Sequence, residues 1–147
     1  MLIRLLTVIT LTLALLAPLA PLANAIEQKP EVLGVLFYAD WCGSCKVLDP
    51  IIKKARGKAD LDNDAILFVR LDLTDATQRH QSALMAHTLG LSDFYNKNGG
   101  ATGFMLLVNA ETKEVITRLT KNMNATEITK QVRNAIALAL ALALARE

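Results

Sequence analysis

The sequence predicts an α/β domain: a central mixed four-stranded sheet with helices on both faces. Three observations carry this. Two apolar, β-rich runs, EVLGVLFYA (31–39) and AILFVRLDL (65–73), are each followed by a helical pattern. Two more β runs, FMLLV and EVITRL, are joined by the short polar NAETK, which predicts a hairpin. A last apolar segment opens on a helix-capping signature. Right-handed crossovers make the first two strands parallel, and the closing hairpin can only add antiparallel strands beside them. With 147 residues there is room for one such domain.

Taken in order, 31–39 is short, apolar and rich in valine and aromatic residues, as a buried central strand should be. From Gly43 to about Arg56, Val47, Leu48, Ile51 and Ile52 recur on one helical face. Pro50 lies inside this helix and predicts a bend near Lys46 and Val47, because it removes one hydrogen bond. After the second strand, Asp75 can cap a helix from Ala76 to about Leu89, which Gly90 ends. The polar, glycine-rich SDFYNKNGGATG (92–103) reads as a surface loop. After the hairpin, Asn124 and Glu127 form a capping box for a helix running to about Ala145. Its tail, AIALALALALARE, alternates alanine and leucine, but both are strong helix formers and the segment stays helical. One leucine pair, Leu138 and Leu142, should share a face and Leu140 and Leu144 the nearly opposite one. One face can cover the sheet, leaving the other to solvent or to a docking partner.

The chain opens with a lone Arg4, an apolar run over 5–17, two prolines and Ala23-Asn24-Ala25. That is the layout of a secretory signal peptide, expected at 1–25 with cleavage after Ala25, and it leaves a folded domain at 26–147. The expected location is periplasmic or secreted. The net charge of +2, from scattered lysines and arginines, gives no basic stripe, so no nucleic-acid partner is expected.

Export bears on the cysteines. The chain has two, Cys42 and Cys45, both inside FYADWCGSCKVLDP (37–50). Outside the cytosol such a pair can cycle, form a static bridge, or serve as half of a metal site. Cys42 stands just before a helix, where free amides and the positive end of the dipole favour thiolate over thiol. Cys45 follows on the same side one turn later, close enough to close a ring. The residues therefore favour Cys42 as attacking nucleophile and Cys45 as the resolving thiol. A bridge across so small a loop adds little stability, and a structural zinc wants four ligands. His80 and His87 share a helix face and should meet solvent. No metal is expected within one chain, although a dimer joined through paired motifs could hold one.

The segment FYADWCGSCKVLDP resembles the active-site motif of the thioredoxin family, Phe-x-Ala-x-Trp-Cys-Gly-Pro-Cys-Lys with a proline five residues beyond the second cysteine. Ala39, Trp41, Cys42, Gly43, Cys45, Lys46 and Pro50 match it. The wording YADWC is similar to the C-terminal domains of transmembrane thiol reductases. The resemblance covers about 31–140 and implies a thioredoxin-like fold and a thiol-disulfide oxidoreductase needing no bound cofactor. It implies exchange with protein thiols or disulfides, with a membrane thiol reductase as electron donor, and the YADWCGSCK wording favours the reductive direction. Around Cys42 and Cys45 it marks Trp41, Gly43, Ser44, Lys46 and Pro50 as support and Thr102 and Gly103 as the substrate-binding loop.

Three positions depart from the family pattern. Ser44 replaces the proline between the cysteines, a position that in the family helps set redox poise. Leu36 stands where the family has a buried aspartate that handles the proton of the second cysteine. Asp40 and Lys46 are the remaining candidates for that role, and resolution of mixed disulfides should be slower. Thr102-Gly103 stands where the family has a cis-proline loop, so a trans, flexible peptide is expected. These departures also keep open a binding or scaffolding module with weak redox activity, using the long loop and the Ala-Leu helix.

Overall fold

The computed structural model describes residues 29–146, so the predicted leader at 1–25 lies outside the described residues. Strand β1 (Val32–Tyr38) leads into helix α1 (Gly43–Ala59), and a 3-10 turn (Leu61–Asn63) precedes β2 (Ile66–Asp72). Helices α2 (Ala76–Thr88) and α3 (Ser92–Asn98) come next, then the strands β3 (Phe104–Asn109) and β4 (Val115–Thr120), and finally α4 (Ala125–Leu144). The sheet order is β2-β1-β3-β4. As predicted, it is mixed: β1 runs parallel to β2 and antiparallel to β3, and β3 pairs antiparallel with β4.

Side-chain alternation along β1 sorts the core into two layers. Val32 and Leu36 pack with Leu48 and Ile52 of α1 and Val132 and Ile136 of α4. Leu33, Val35 and Phe37 point the other way, toward Ala86 of α2 and Leu91. A strand covered on both faces must be apolar at nearly every position, which is why 31–39 reads as a continuous apolar run. Each aliphatic side chain so buried contributes roughly 1.5–3 kcal/mol.

Local chemistry sets the helix ends. The Asp75 side chain accepts from the Gln78 amide at 2.9 Å and starts α2 where predicted. At its other end Gly90 adopts φ 69°, its amide donates to the His87 carbonyl, and the Leu91 amide donates to Ala86 at 2.7 Å. This pattern closes a helix through a left-handed residue, where glycine carries no Cβ penalty. In α4 the Asn124 side chain accepts from the Glu127 amide at 3.0 Å, and Glu127 accepts in return from the Asn124 amide at 2.8 Å.

Three expectations need correction. Helix α1 runs past Arg56 to Ala59, with Pro50 inside it as predicted. Lys46 and Pro50 both lie on its exposed side, where water can serve the carbonyl that proline leaves unpaired. The segment 92–103 is not wholly loop, since 92–98 forms α3. Its Phe94 and Tyr95 pack against the β1 layer, and the Tyr95 hydroxyl donates to the Arg79 carbonyl at 2.8 Å. Tertiary anchoring thus overrides a polar composition. In α4, neither leucine pair covers the sheet. The buried face is Ile128, Val132, Ala135, Ile136 and Ala139, and Leu138, Leu140, Leu142 and Leu144 are all exposed. The 3.6-residue period that seats Val132 and Ile136 carries the later leucines off that face. No helix among the described residues is long and apolar enough to cross a membrane.

Candidate active site

The two cysteines lie where β1 passes into α1. Cys42 is the N-cap of the helix, with extended backbone (φ −82°, ψ 110°), and its sulfur accepts from the Cys45 amide at 3.2 Å. An N-cap side chain is held over the first turn's free amides, so the sequence places this sulfur through ordinary capping geometry. Cys42 is 8% exposed and Cys45 0%. Both are free thiols.

Their surroundings drive the two acidities apart. Burial pushes Cys42 up, but hydrogen bonding from the Cys45 thiol, the Thr102 hydroxyl and the Cys45 and Ser44 amides outweighs it, and the net shift is downward. Cys45 is pushed from its ordinary value of 9.0 up to about 11, first by burial and then by its hydrogen bond to Cys42. The pair therefore holds one sulfur ready to ionise and keeps a proton on the other. The Cys45 Sγ also lies 3.7 Å from the Phe37 carbonyl oxygen.

The same Phe37 carbonyl accepts from the Gly103 amide at 2.9 Å. This bond ties the loop before β3 to the end of β1 and seats Thr102 and Gly103 beside the sulfurs. The peptide bonds are all trans among the described residues, and Gly103 has φ 88°. The predicted flexible junction is thus a tethered one. A Cβ at Gly103 would come 3.3 Å from Cys42 Sγ, so glycine permits the close approach.

A second tether runs through Thr74, which the sequence did not flag. Its hydroxyl accepts from the Asp40 amide at 3.0 Å and its carbonyl from Trp41 Nε1 at 3.1 Å. Trp41 is held by its polar edge and is still 60% exposed, so an aromatic face is presented beside Cys42. Thr74 is 33 residues from Trp41 and 34 from Asp40, and no local pattern could have revealed it. Asp72 in turn accepts from the Thr74 amide at 3.0 Å.

The remaining predicted residues divide. Gly43 is exposed, with open space where a Cβ would stand, and Ser44 lies against Gly103. Lys46 and Pro50 are exposed along α1. Leu36 is a packed core residue, between Arg70 of β2 and Met105 of β3 in the sheet register. Asp40 does not take the vacant proton-handling place. Its carboxylate accepts instead from the Tyr38 hydroxyl at 2.8 Å, and no hydrogen bond joins it or Lys46 to Cys45 among the described residues. His80 and His87 are exposed, with His87 Nδ1 3.3 Å from Ser92 Oγ. Among the described residues, no group of three or more histidine, cysteine or acidic side chains is clustered as a metal site would require.

Comparison with known proteins supplies the family context. The thioredoxin family model matches residues 20–97. A thioredoxin of Coprinus comatus is 30% identical over 60 residues, which is 41% of this chain, and the chain spans 55% of that protein's length. StoA from Bacillus subtilis superposes with a TM-score of 0.47 at 18% identity, covering 70% of this chain and 83% of its own. A thioredoxin-like protein from Parabacteroides distasonis gives a TM-score of 0.46 at 14% identity, over 72% of this chain and 82% of its own.

Proposed function

This chain belongs to the thioredoxin family, and from that premise we propose that it is an exported thiol-disulfide oxidoreductase that reduces disulfides of protein partners through Cys42 and Cys45. The observation that carries this reading is the placement of two free thiols at one helix start, with Cys42 capping the helix and accepting from the Cys45 amide at 3.2 Å and Cys45 fully buried behind it. The Cys42 thiolate attacks one sulfur of a substrate disulfide, whose S–S bond breaks as the other sulfur leaves and takes up a proton. Cys45 then gives up its proton to solvent and attacks Cys42 Sγ, breaking the mixed disulfide, and the substrate sulfur released from Cys42 takes up a proton from solvent and leaves as a thiol. Two electrons and two protons pass to the substrate, and the pair is left as a disulfide. In the proposed setting a membrane thiol reductase restores the dithiol.

Export rests on the 1–25 pattern, and the reductive direction on the likeness of YADWCGSCK to exported reductase domains. Equilibration with glutathione redox buffers tests the core of the proposal. We expect a reversible two-electron couple in the wild type, none in Cys42→Ser, and accumulation of a mixed disulfide in Cys45→Ser. A chain whose oxidised and reduced forms cannot be interconverted by dithiols would sink the proposal.

A further inference from the structure

Beside Cys42 lies a cavity of about 230 Å³ lined by Trp41, Leu73, Arg79, Gly99, Gly100 and Thr102. Five of these six residues are uncharged. Trp41 offers its exposed ring, Gly100 has open space where a Cβ would stand, and Thr102 stands next to the sulfurs. The sixth is Arg79, whose Nε donates to the Leu73 carbonyl at 3.2 Å, fixing the side chain against the wall.

The guanidinium has no acidic partner among the described residues. Arg56, Arg70 and Arg146 each pair with a carboxylate. The carboxylates nearest Arg79 in sequence are used elsewhere: Asp75 Oδ1 caps α2 by accepting from the Gln78 amide, and Asp72 Oδ1 accepts from the Thr74 amide. A planar fork of donors, with one edge anchored and the rest open to a cavity, matches a carboxylate.

We propose that this cavity is a specificity subsite for a carboxylate carried one or two residues from the target sulfur, and that Arg79 is its recognition group. The inference rests on the oxidoreductase reading and adds a substrate class to it. A substrate sulfur engaged by Cys42 brings its flanking residues past Thr102 and Trp41, and an aspartate or glutamate there meets Arg79. The carboxylate can sit on a peptide or on a small disulfide, so both carriers enter the test.

The test uses two pairs of substrates with the full-length dithiol protein. One pair is a peptide disulfide with aspartate or asparagine next to the target cysteine; the other is glutathione disulfide and its ethyl ester. Each ratio of kcat/KM is normalised to the same ratio for dithiothreitol, which removes the effect of the charge on the substrate's own sulfur. For the wild type at low salt, we expect a preference of about 3- to 5-fold for the carboxylate, shrinking at high salt. Arg79→Gln should bring the ratio close to one, and Arg79→Lys should restore part of it. Dependence on Arg79 in the peptide pair supports the subsite and places the carboxylate on a protein, whereas dependence in the glutathione pair alone supports it with a small disulfide as carrier. Ratios unchanged by Arg79→Gln in both pairs overturn the subsite and leave the oxidoreductase reading standing. Failure of the wild type to reduce any of the four disulfides overturns both.

Discussion

Gly103 lies so close to Ser44 that a Cβ built on its backbone would stand 2.6 Å from Ser44 Cβ. Gly103 also holds φ 88°, a conformation that proline cannot adopt and alanine adopts only with strain. Two of the three departures from the family pattern, Ser44 and Gly103, thus lie against one another. Gly103→Ala should lose about 1–3 kcal/mol in urea unfolding, and Gly103→Pro, which restores the family residue, should lose at least as much. An unchanged unfolding midpoint in Gly103→Pro would show that the loop is not held in this conformation.

The two thiols should be chemically distinct. With Cys42 lowered and partly accessible, and Cys45 enclosed and raised to about 11, iodoacetamide at neutral pH should modify Cys42 faster by at least about tenfold. Peptide mapping of a time course measures this directly. Ser44→Pro removes an amide that favours the Cys42 thiolate, so the pH profile of Cys42 alkylation should move to higher pH in that variant.

Stability should depend on redox state in alkali. Cys45 has a folded pKa raised above its unfolded value, so the unfolded chain releases this proton first. Its contribution is complete below the unfolded value, near 9.0, and is lost as pH rises toward about 11. Denaturant unfolding of the reduced chain should weaken across that window. The oxidised chain has no thiol proton to release there and should weaken less, and equal slopes for the two forms would refute the assignment.

Leu36 sets the last expectation. It packs with Leu48, Ile52 and Met105, so Leu36→Asp places a carboxyl in an apolar layer and should cost about 2–3 kcal/mol of stability. The same carboxyl supplies a proton acceptor that β1 otherwise lacks. Mixed disulfides trapped on Cys42 should then resolve at least about tenfold faster than in the wild type. Equal lifetimes in quenched-flow alkylation would mean that proton transfer from Cys45 does not limit resolution.

How much was legible in the sequence can be judged residue by residue. The class of fold, the strand and helix order, the Asp75 and Asn124 caps and the position of Cys42 at a helix start follow from periodicity and capping, which act over a few residues. Asp40 shows the limit: its place in the motif made it a candidate for the Cys45 proton, yet Tyr38 holds its carboxylate. The helix at 92–98 was hidden for a similar reason, because its support comes from Phe94 and Tyr95 meeting the far face of the sheet.

By itself, then, the sequence determined a mixed α/β sheet with a dithiol motif at the start of its first helix, since hydrophobic period and helix capping are local properties. Tertiary structure alone decided what surrounds the sulfurs. The Phe37 carbonyl gathers Cys45 and Gly103, Thr74 holds Trp41 and Asp40, and Arg79 is brought to the rim of the same site. Apart from the Phe37–Cys45 contact, each of these joins segments far apart in the chain, and such contacts arise only when packing of the two core layers fixes where the loops meet.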